Sequence, residues 1–289
     1  MRARVASACL LAVVAVAAGG QDRPLPDLEP FLEQVRNRLE PDEVRQSGYV
    51  YVETRREQRL DGSGRATRET VRVFESYPGL PGEPRWERLV SENGVPVSPA
   101  NLARQDAERQ RKAMDYARKR EREPQKVDAA EARKRAEERR ELQAALDDVQ
   151  RVFEIRMVGR EVVGGHDTIL LSFTPRRGVK PRTKAGGIVS HFVGRVWVSE
   201  AEYEAVRLEA EALDDLSFGL GLLARVHKGS KAEFERLKVN GEAWLPASAK
   251  WTASARMLLV RRLRVGGTSE FSDYRKFTVD TTTSGVRVQ

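Results

Sequence analysis

The sequence predicts an α+β fold: an antiparallel sheet, curved or closed on itself, broken by a long charged helical segment. Three observations predict it. Short runs of period-two alternation, separated by Gly, Pro, Asn and Asp turn signals, recur between residues 49 and 279. Strands at such spacing favour antiparallel pairing over parallel βαβ units. Between residues 99 and 150 the alternation gives way to a Gly-free stretch rich in Ala, Arg, Glu, Lys and Gln, a composition that favours helix. Ahead of the first strand, Phe31-Leu32, Val35 and Leu39 recur at helical spacing.

The 289-residue chain opens with Arg2 and Arg4, an uncharged run from Val5 to Ala18, and small residues around Ala15-Val16-Ala17-Ala18-Gly19. This is the layout of an export signal with a small-x-small cleavage site. The apolar run is too short to span a bilayer, which takes about 20 residues, and the polar Gln21-Asp22-Arg23 favours release over anchoring. The expected organisation is a signal peptide at 1–18 and one domain at 19–289, with 99–150 a helical arm inserted in it. The single cysteine, Cys9, lies inside the leader. Its removal leaves no thiol for a disulfide, for nucleophilic catalysis or for a zinc–thiolate site. The formal charge of +8 admits an anionic membrane surface or an acidic partner, and export argues against nucleic acid.

Residues 24–47 read as a Pro-punctuated lead-in with one helix, ended or restarted at Pro41. Tyr49-Val50-Tyr51-Val52-Glu53-Thr54 and Thr70-Val71-Arg72-Val73-Phe74-Glu75 are aromatic and β-branched, as strands prefer. With Asp61-Gly62-Ser63-Gly64 between them they predict a long hairpin, which would place Val50, Val52, Val71 and Val73 on one face. Trp86–Val90 makes a third strand, turned at Asn93-Gly94.

The helical segment carries 14 basic and 10 acidic residues between Arg104 and Glu141. Pro124 should divide it into two helices. Residues 99–141 form an exposed arm. Leu142, Leu146, Val149 and Phe153 form one helical stripe, so 142–150 is its docked root. Strands then resume at Phe153–Met157 and Asp167–Phe173, whose apolar run suggests cover on both faces. Pro175–Gly187 is a basic loop. Val193–Val198, Ala205–Ala210, Leu220–Val226, Phe234–Val239, Ala249–Arg264 and Glu270–Val279 complete the set.

Chemistry-bearing motifs are scarce. His166, His191 and His227 stand apart, without metal-ligand spacing. No Gly-x-Ser-x-Gly occurs, Gly219-x-Gly221 lacks the rest of a dinucleotide fingerprint, and Asp214-Asp215 are adjacent acids in a turn. No catalytic residue, metal ligand or cofactor is assigned, and a non-enzymatic protein is expected. The basic loop Arg176-Arg177-x-x-Lys180-x-Arg182-x-Lys184 reads either as a contact for anionic headgroups or as a solvated loop.

Three segments together resemble the periplasmic lipoprotein-carrier family, the outer-membrane lipoprotein-sorting proteins. They are Tyr49–Glu53 with its Asp61–Gly64 turn; Gly194-Arg195-Val196-Trp197-Val198 followed by a strand ending at Arg207-Leu208; and Asn240-Gly241-Glu242-Ala243-Trp244-Leu245-Pro246. The resemblance covers most of residues 31–279, with 99–147 as an insertion. It implies a curved, incompletely closed antiparallel β-barrel with helices over the concave side and an apolar cavity for acyl chains. The fold also serves envelope-stress sensors, so it does not by itself select a function.

The expected function is that of a periplasmic protein, free or associated with the outer membrane, that binds a lipid or lipoprotein acyl chain. The alternative is an envelope interaction or stress-sensor module whose charged arm docks on a partner protein. Candidate cavity-lining residues are Val50, Val52, Val71, Val73, Leu171, Phe173, Val196, Val198 and Leu208.

Overall fold

The computed structural model describes residues 23–39, 42–218, 224–257, 261–279 and 286–288. The expected leader at 1–18, Pro41, Gly219-x-Gly221 and most of the expected strand at 220–226 lie outside the described residues.

Helix α1 (Leu28–Arg38) carries the Phe31, Leu32 and Val35 face, and α2 (Asp42–Gln46) restarts the chain ahead of the sheet. The first hairpin is longer than its alternating cores: β1 (Tyr49–Leu60) and β2 (Ala66–Tyr77). Its turn is built by Asp61. The carboxylate accepts the N–H groups of Ser63 and Arg65 at 2.9 Å and the Ser63 hydroxyl at 2.6 Å, and these bonds hold its pKa below the usual carboxylate range. Strand β3 (Trp86–Glu92) turns through Asn93 and Gly94, both at positive φ, into β4 (Val95–Pro96).

Helix α3 (Pro99–Arg122) is capped by the Ser98 hydroxyl on the Asn101 N–H, and α4 (Pro124–Val152) begins at its proline. Pro124 has no N–H to continue the ladder of α3 but suits the first position of a new helix. Helix α3 buries no residue, and α4 buries only Val127, Asp148 and Val152.

The second half comprises β5 (Phe153–Val163), β6 (His166–Pro175), α5 (Lys184–Val189), β7 (Phe192–Ser199), β8 (Ala205–Ala212), β9 (Leu216–Phe218), β10 (Ala224–Val226), β11 (Lys231–Val239), β12 (Ala243–Met257), β13 (Arg261–Val279) and β14 (Val286–Val288). Eleven strands form one path, β4-β3-β2-β1-β13-β12-β11-β8-β7-β6-β5, and every pairing is antiparallel. The path ends in β4 on one side and β5 on the other, so the curved sheet is not closed into a barrel.

Three expectations are corrected. The strand expected at 249–264 is two strands, because β12 ends at Met257, β13 starts at Arg261, and these two residues pair antiparallel. Trp244-Leu245-Pro246 lies within β12 rather than in a turn; the turn is Asn240-Gly241, both at positive φ. The basic loop ends at Thr183, whose hydroxyl accepts the Gly186 N–H at 2.9 Å and starts α5.

The main core joins α1 to the sheet through Phe31, Ile169, Leu171 and Val198. Burying each such side chain contributes about 1.5–3 kcal/mol. Strand β6 is covered on both faces, as its apolar run requires. Ile169 and Leu171 face α1, while Leu170 pairs with Trp197 on the outer face. Trp197 is kept from water by Arg195 and Arg207, stacked 5.1 and 5.0 Å from its ring, and by its N–H on Glu161 at 2.7 Å. A second core gathers Tyr49, Val239 and Leu245.

One contact manages an exposed edge. The Gln105 amide on α3 accepts the Leu89 N–H at 3.0 Å and donates to the Leu89 carbonyl at 3.1 Å. It pairs with β3 as another strand would, and so blocks edge-to-edge association there. Arg88 reinforces the dock with two bonds to Asp106 at 2.7 and 2.9 Å.

Candidate functional site

A half-open cavity of about 490 Å³ lies between the sheet and its helices, within the roughly 300–1,000 Å³ range of ligand pockets. Its floor is the inner face of β5–β8: Phe153, Ile155, Leu171, Phe173, Phe192, Val196, Val198, Ala205, Leu208 and Ala210. Its roof is Leu32, Val35 and Arg36 on α1, Leu39 just beyond it, Leu146, Val149 and Gln150 on α4, and Val189 on α5. Sixteen of these eighteen residues are apolar. The two polar ones answer each other, since Arg36 donates to Gln150 at 3.3 Å and also bonds Asp147.

Backbone geometry aims these side chains. In a strand, alternate residues share a face, and directly paired residues on neighbouring strands share it too. Met157, Leu171, Val196 and Leu208 form one such row across β5–β8. Ile155, Phe173, Gly194 and Ala210 form the next. Gly194 belongs there for steric reasons: a Cβ would sit 2.0 Å from the Glu209 carbonyl oxygen and 2.5 Å from the Phe173 ring. Its absence lets that ring lie over the strand and pack on Phe153, with ring centroids 5.1 Å apart. At the far end Phe31 packs on Tyr203 at 5.5 Å, inside the buried core. Along β6 burial falls from Ile169 and Leu171 to the half-exposed Phe173.

Of the nine candidate residues, the structure brings Leu171, Phe173, Val196, Val198 and Leu208 together in this cavity. The other four are corrected. The row through Leu208 continues by pairing to Phe234, Ala249, Ser269 and Arg55, so Arg55 shares the cavity face. Val52, one residue out of phase with Glu53 and Arg55, therefore takes the outer face. So do Val71 and Val73, which pair with Arg56 and Thr54. Val50, beside the β1/β13 register shift, is buried but does not line the cavity. The inner face thus changes character along the sheet. It is apolar at β5–β8 and polar at β1–β2, where buried Glu53 accepts two bonds from Arg55 at 2.9 and 2.8 Å and the Ser269 hydroxyl at 2.7 Å.

Sequence reasoning placed helices over the concave side but assigned none of their residues to the cavity: Leu32, Val35, Leu39, Leu146 and Val149 stood out only as helical stripes, and nothing marked Val189 or Arg36. It also missed the latch that holds α5 in place. Asp148, buried on α4, accepts the N–H groups of Arg182 and Thr183 at 2.8 Å, the Thr183 hydroxyl at 2.9 Å and the Arg151 guanidinium at 2.6 Å. Burial pushes its pKa up, but the bonds from Thr183, Arg151 and Arg182 outweigh this and hold it far below the usual carboxylate range. Gly186 is required beside the latch, because a Cβ there would lie 1.9 Å from Asp148 Oδ2.

Each histidine has its own neighbour, and the acids that bond His191 and His227 are consecutive residues. His191 pairs with Asp214 at 2.5 Å, His227 with Asp215 at 2.9 Å, and His166 lies against the Trp244 ring at 4.7 Å. Among the described residues, no group of three or more His, Cys, Asp and Glu side chains is arranged to hold a metal, and no helix is long and apolar enough to cross a membrane.

No family profile matches the chain, and no curated protein matches it. Solved structures do. One is a domain assigned to outer-membrane lipoprotein sorting from Vibrio parahaemolyticus, with 10% identity and a TM-score of 0.34 over 88% of this chain and 93% of that one. A second is a LolA superfamily protein from Nitrosomonas europaea, with 9% identity and a TM-score of 0.28 over 87% and 94%. A third is from the MucA/MucB complex of Pseudomonas aeruginosa, with 8% identity and a TM-score of 0.23 over 84% and 93%.

Proposed function

We propose that the protein is an exported, non-enzymatic cell-envelope protein that binds a lipid or lipoprotein acyl chain in the cavity beneath α1, α4 and α5. The observation that carries this is the lining: sixteen apolar side chains around a half-open space. An acyl chain entering it would gain about 0.8 kcal/mol per buried methylene. The leader at 1–18 supports export, and 19–289 acts as one domain with 99–150 an inserted arm. The test is uptake of a fluorescent fatty acid by delipidated protein. Saturable binding supports the function; its absence removes it.

A second function is favoured by one observation, that α3 buries none of its residues. The α3–α4 arm would then dock on an envelope partner protein. Shortening the hairpin beyond its contacts at Arg109 and Lys134 should abolish partner capture and leave Tm unchanged. Retained capture, or loss of folding, would count against it.

A further inference from the structure

Building on acyl-chain binding in the cavity, we propose that the bound lipid carries an anionic headgroup and that the cationic loop at residues 176–184 binds it. The loop is continuous with the cavity at both ends. It leaves β6 two residues after Phe173 and enters α5, which supplies Val189; both residues line the cavity. It is also held there. The Arg176 N–H bonds the Val152 carbonyl at 2.7 Å, and Arg176 Nε bonds the carbonyl of Phe153 at 2.9 Å, whose ring is part of the cavity floor. Arg151 holds the Lys180 carbonyl at 2.5 Å, and Asp148 holds the N–H groups of Arg182 and Thr183.

The loop's charge is unbalanced. It contains Arg176, Arg177, Lys180, Arg182 and Lys184 and no acidic residue, and all five side chains are exposed. Among the described residues no ion pair neutralises Arg177, Lys180, Arg182 or Lys184. Some cations elsewhere on the surface are paired, as Arg72 is with Glu92 and Arg195 with Glu209; what sets the loop apart is five cations within nine residues with no acid among them. Acids in neighbouring elements are already engaged: Asp148 by Arg151 and the loop backbone, Asp147 by Arg36, Glu154 by Arg156 and Asp214 by His191. Arg36, the one cation in the lining, is therefore neutralised, and the uncompensated charge lies in the loop that joins two lining elements, β6 and α5. A fatty-acid carboxylate or lipid phosphate held beside Phe173 and Val189, with its chain directed toward Phe31, would meet that charge.

The experiment displaces a fluorescent acyl probe from the full-length delipidated protein with palmitate and with palmityl alcohol, which share a chain and differ in headgroup charge. Palmitate should bind more tightly, by about fivefold for each cation that reaches the carboxylate. The preference should shrink as salt shortens the Debye length below its roughly 8 Å physiological value, and it should vanish in R177Q/K180Q/R182Q/K184Q. The salt series on the unmodified protein gives the same answer if that variant does not fold. Equal affinities for the two competitors, or a preference indifferent to both salt and the substitutions, would overturn the headgroup assignment and leave acyl binding standing. Failure of both to displace a probe that binds would place the probe outside the cavity and overturn both. Binding of phosphatidylglycerol vesicles with no palmitate preference would assign the loop to a membrane surface instead.

Discussion

Filling the cavity should separate ligand binding from folding. Ala210 lies on its floor, half-buried, in the row with Phe173 and Gly194. In Ala210→Phe the new ring would project into the open space. Burying a phenyl group there contributes up to about 1.5–3 kcal/mol to stability, offset by about 1–3 kcal/mol if neighbours must shift. Tm should therefore change little. An acyl chain would lose the room the ring takes. If the ring displaces three methylenes, the loss is about 2.4 kcal/mol, roughly fiftyfold in Kd. The assay is a fluorescent fatty-acid titration of both proteins beside their thermal melts. A folded Ala210→Phe protein that binds with unchanged affinity would refute the placement of the chain in this cavity.

Other positions give further outcomes. Phe31→Ala should cost about 3–5 kcal/mol, because Phe31 is buried between α1 and the sheet; chemical denaturation checks it, and a loss below 1 kcal/mol would show that α1 is not docked as described. Gln105→Ala orphans the Leu89 N–H and carbonyl, at about 1–2 kcal/mol, and should raise self-association in sedimentation by freeing the β3 edge. Asp148→Asn should release the 180–183 segment, lowering Tm and raising amide exchange there. The Asp148 pKa is depressed in the folded state, so its contribution is fully present above the unfolded value of about 3.9 and is lost as pH falls toward the folded value. Tm of the variant should therefore fall less steeply than that of the unmodified protein below about pH 4.

Much of this architecture is legible in the sequence because local chemistry decides it. Asp61–Gly64 forms its turn with its own side chains, Pro124 cannot continue a helix, and the four apolar residues at Ile169–Phe173 need cover on both faces of β6. What local chemistry does not decide was lost. Tyr49–Arg55 alternates aromatic and charged residues with aliphatic ones, and aliphatic composition alone placed Val52, Val71 and Val73 inside. Pairing with β13 puts Arg55, not Val52, on the cavity face, a one-residue difference that reverses a whole strand. Met257 to Val260 is an apolar run with no Gly or Pro, so nothing in the sequence marks the end of β12 at Met257. The Asp148 latch joins groups more than thirty residues apart and has no local signature. The five candidates that reached the cavity share one feature: they lie on β6, β7 and β8, neighbours in space as in sequence.

Native mass spectrometry of the protein, released from a cell envelope without detergent, tests acyl-chain binding most directly. The cavity predicts an adduct of lipid mass that organic extraction removes, present in the unmodified protein and absent from Ala210→Phe. A clean apo mass for the unmodified protein, with no adduct regained on incubation with palmitate, would contradict it.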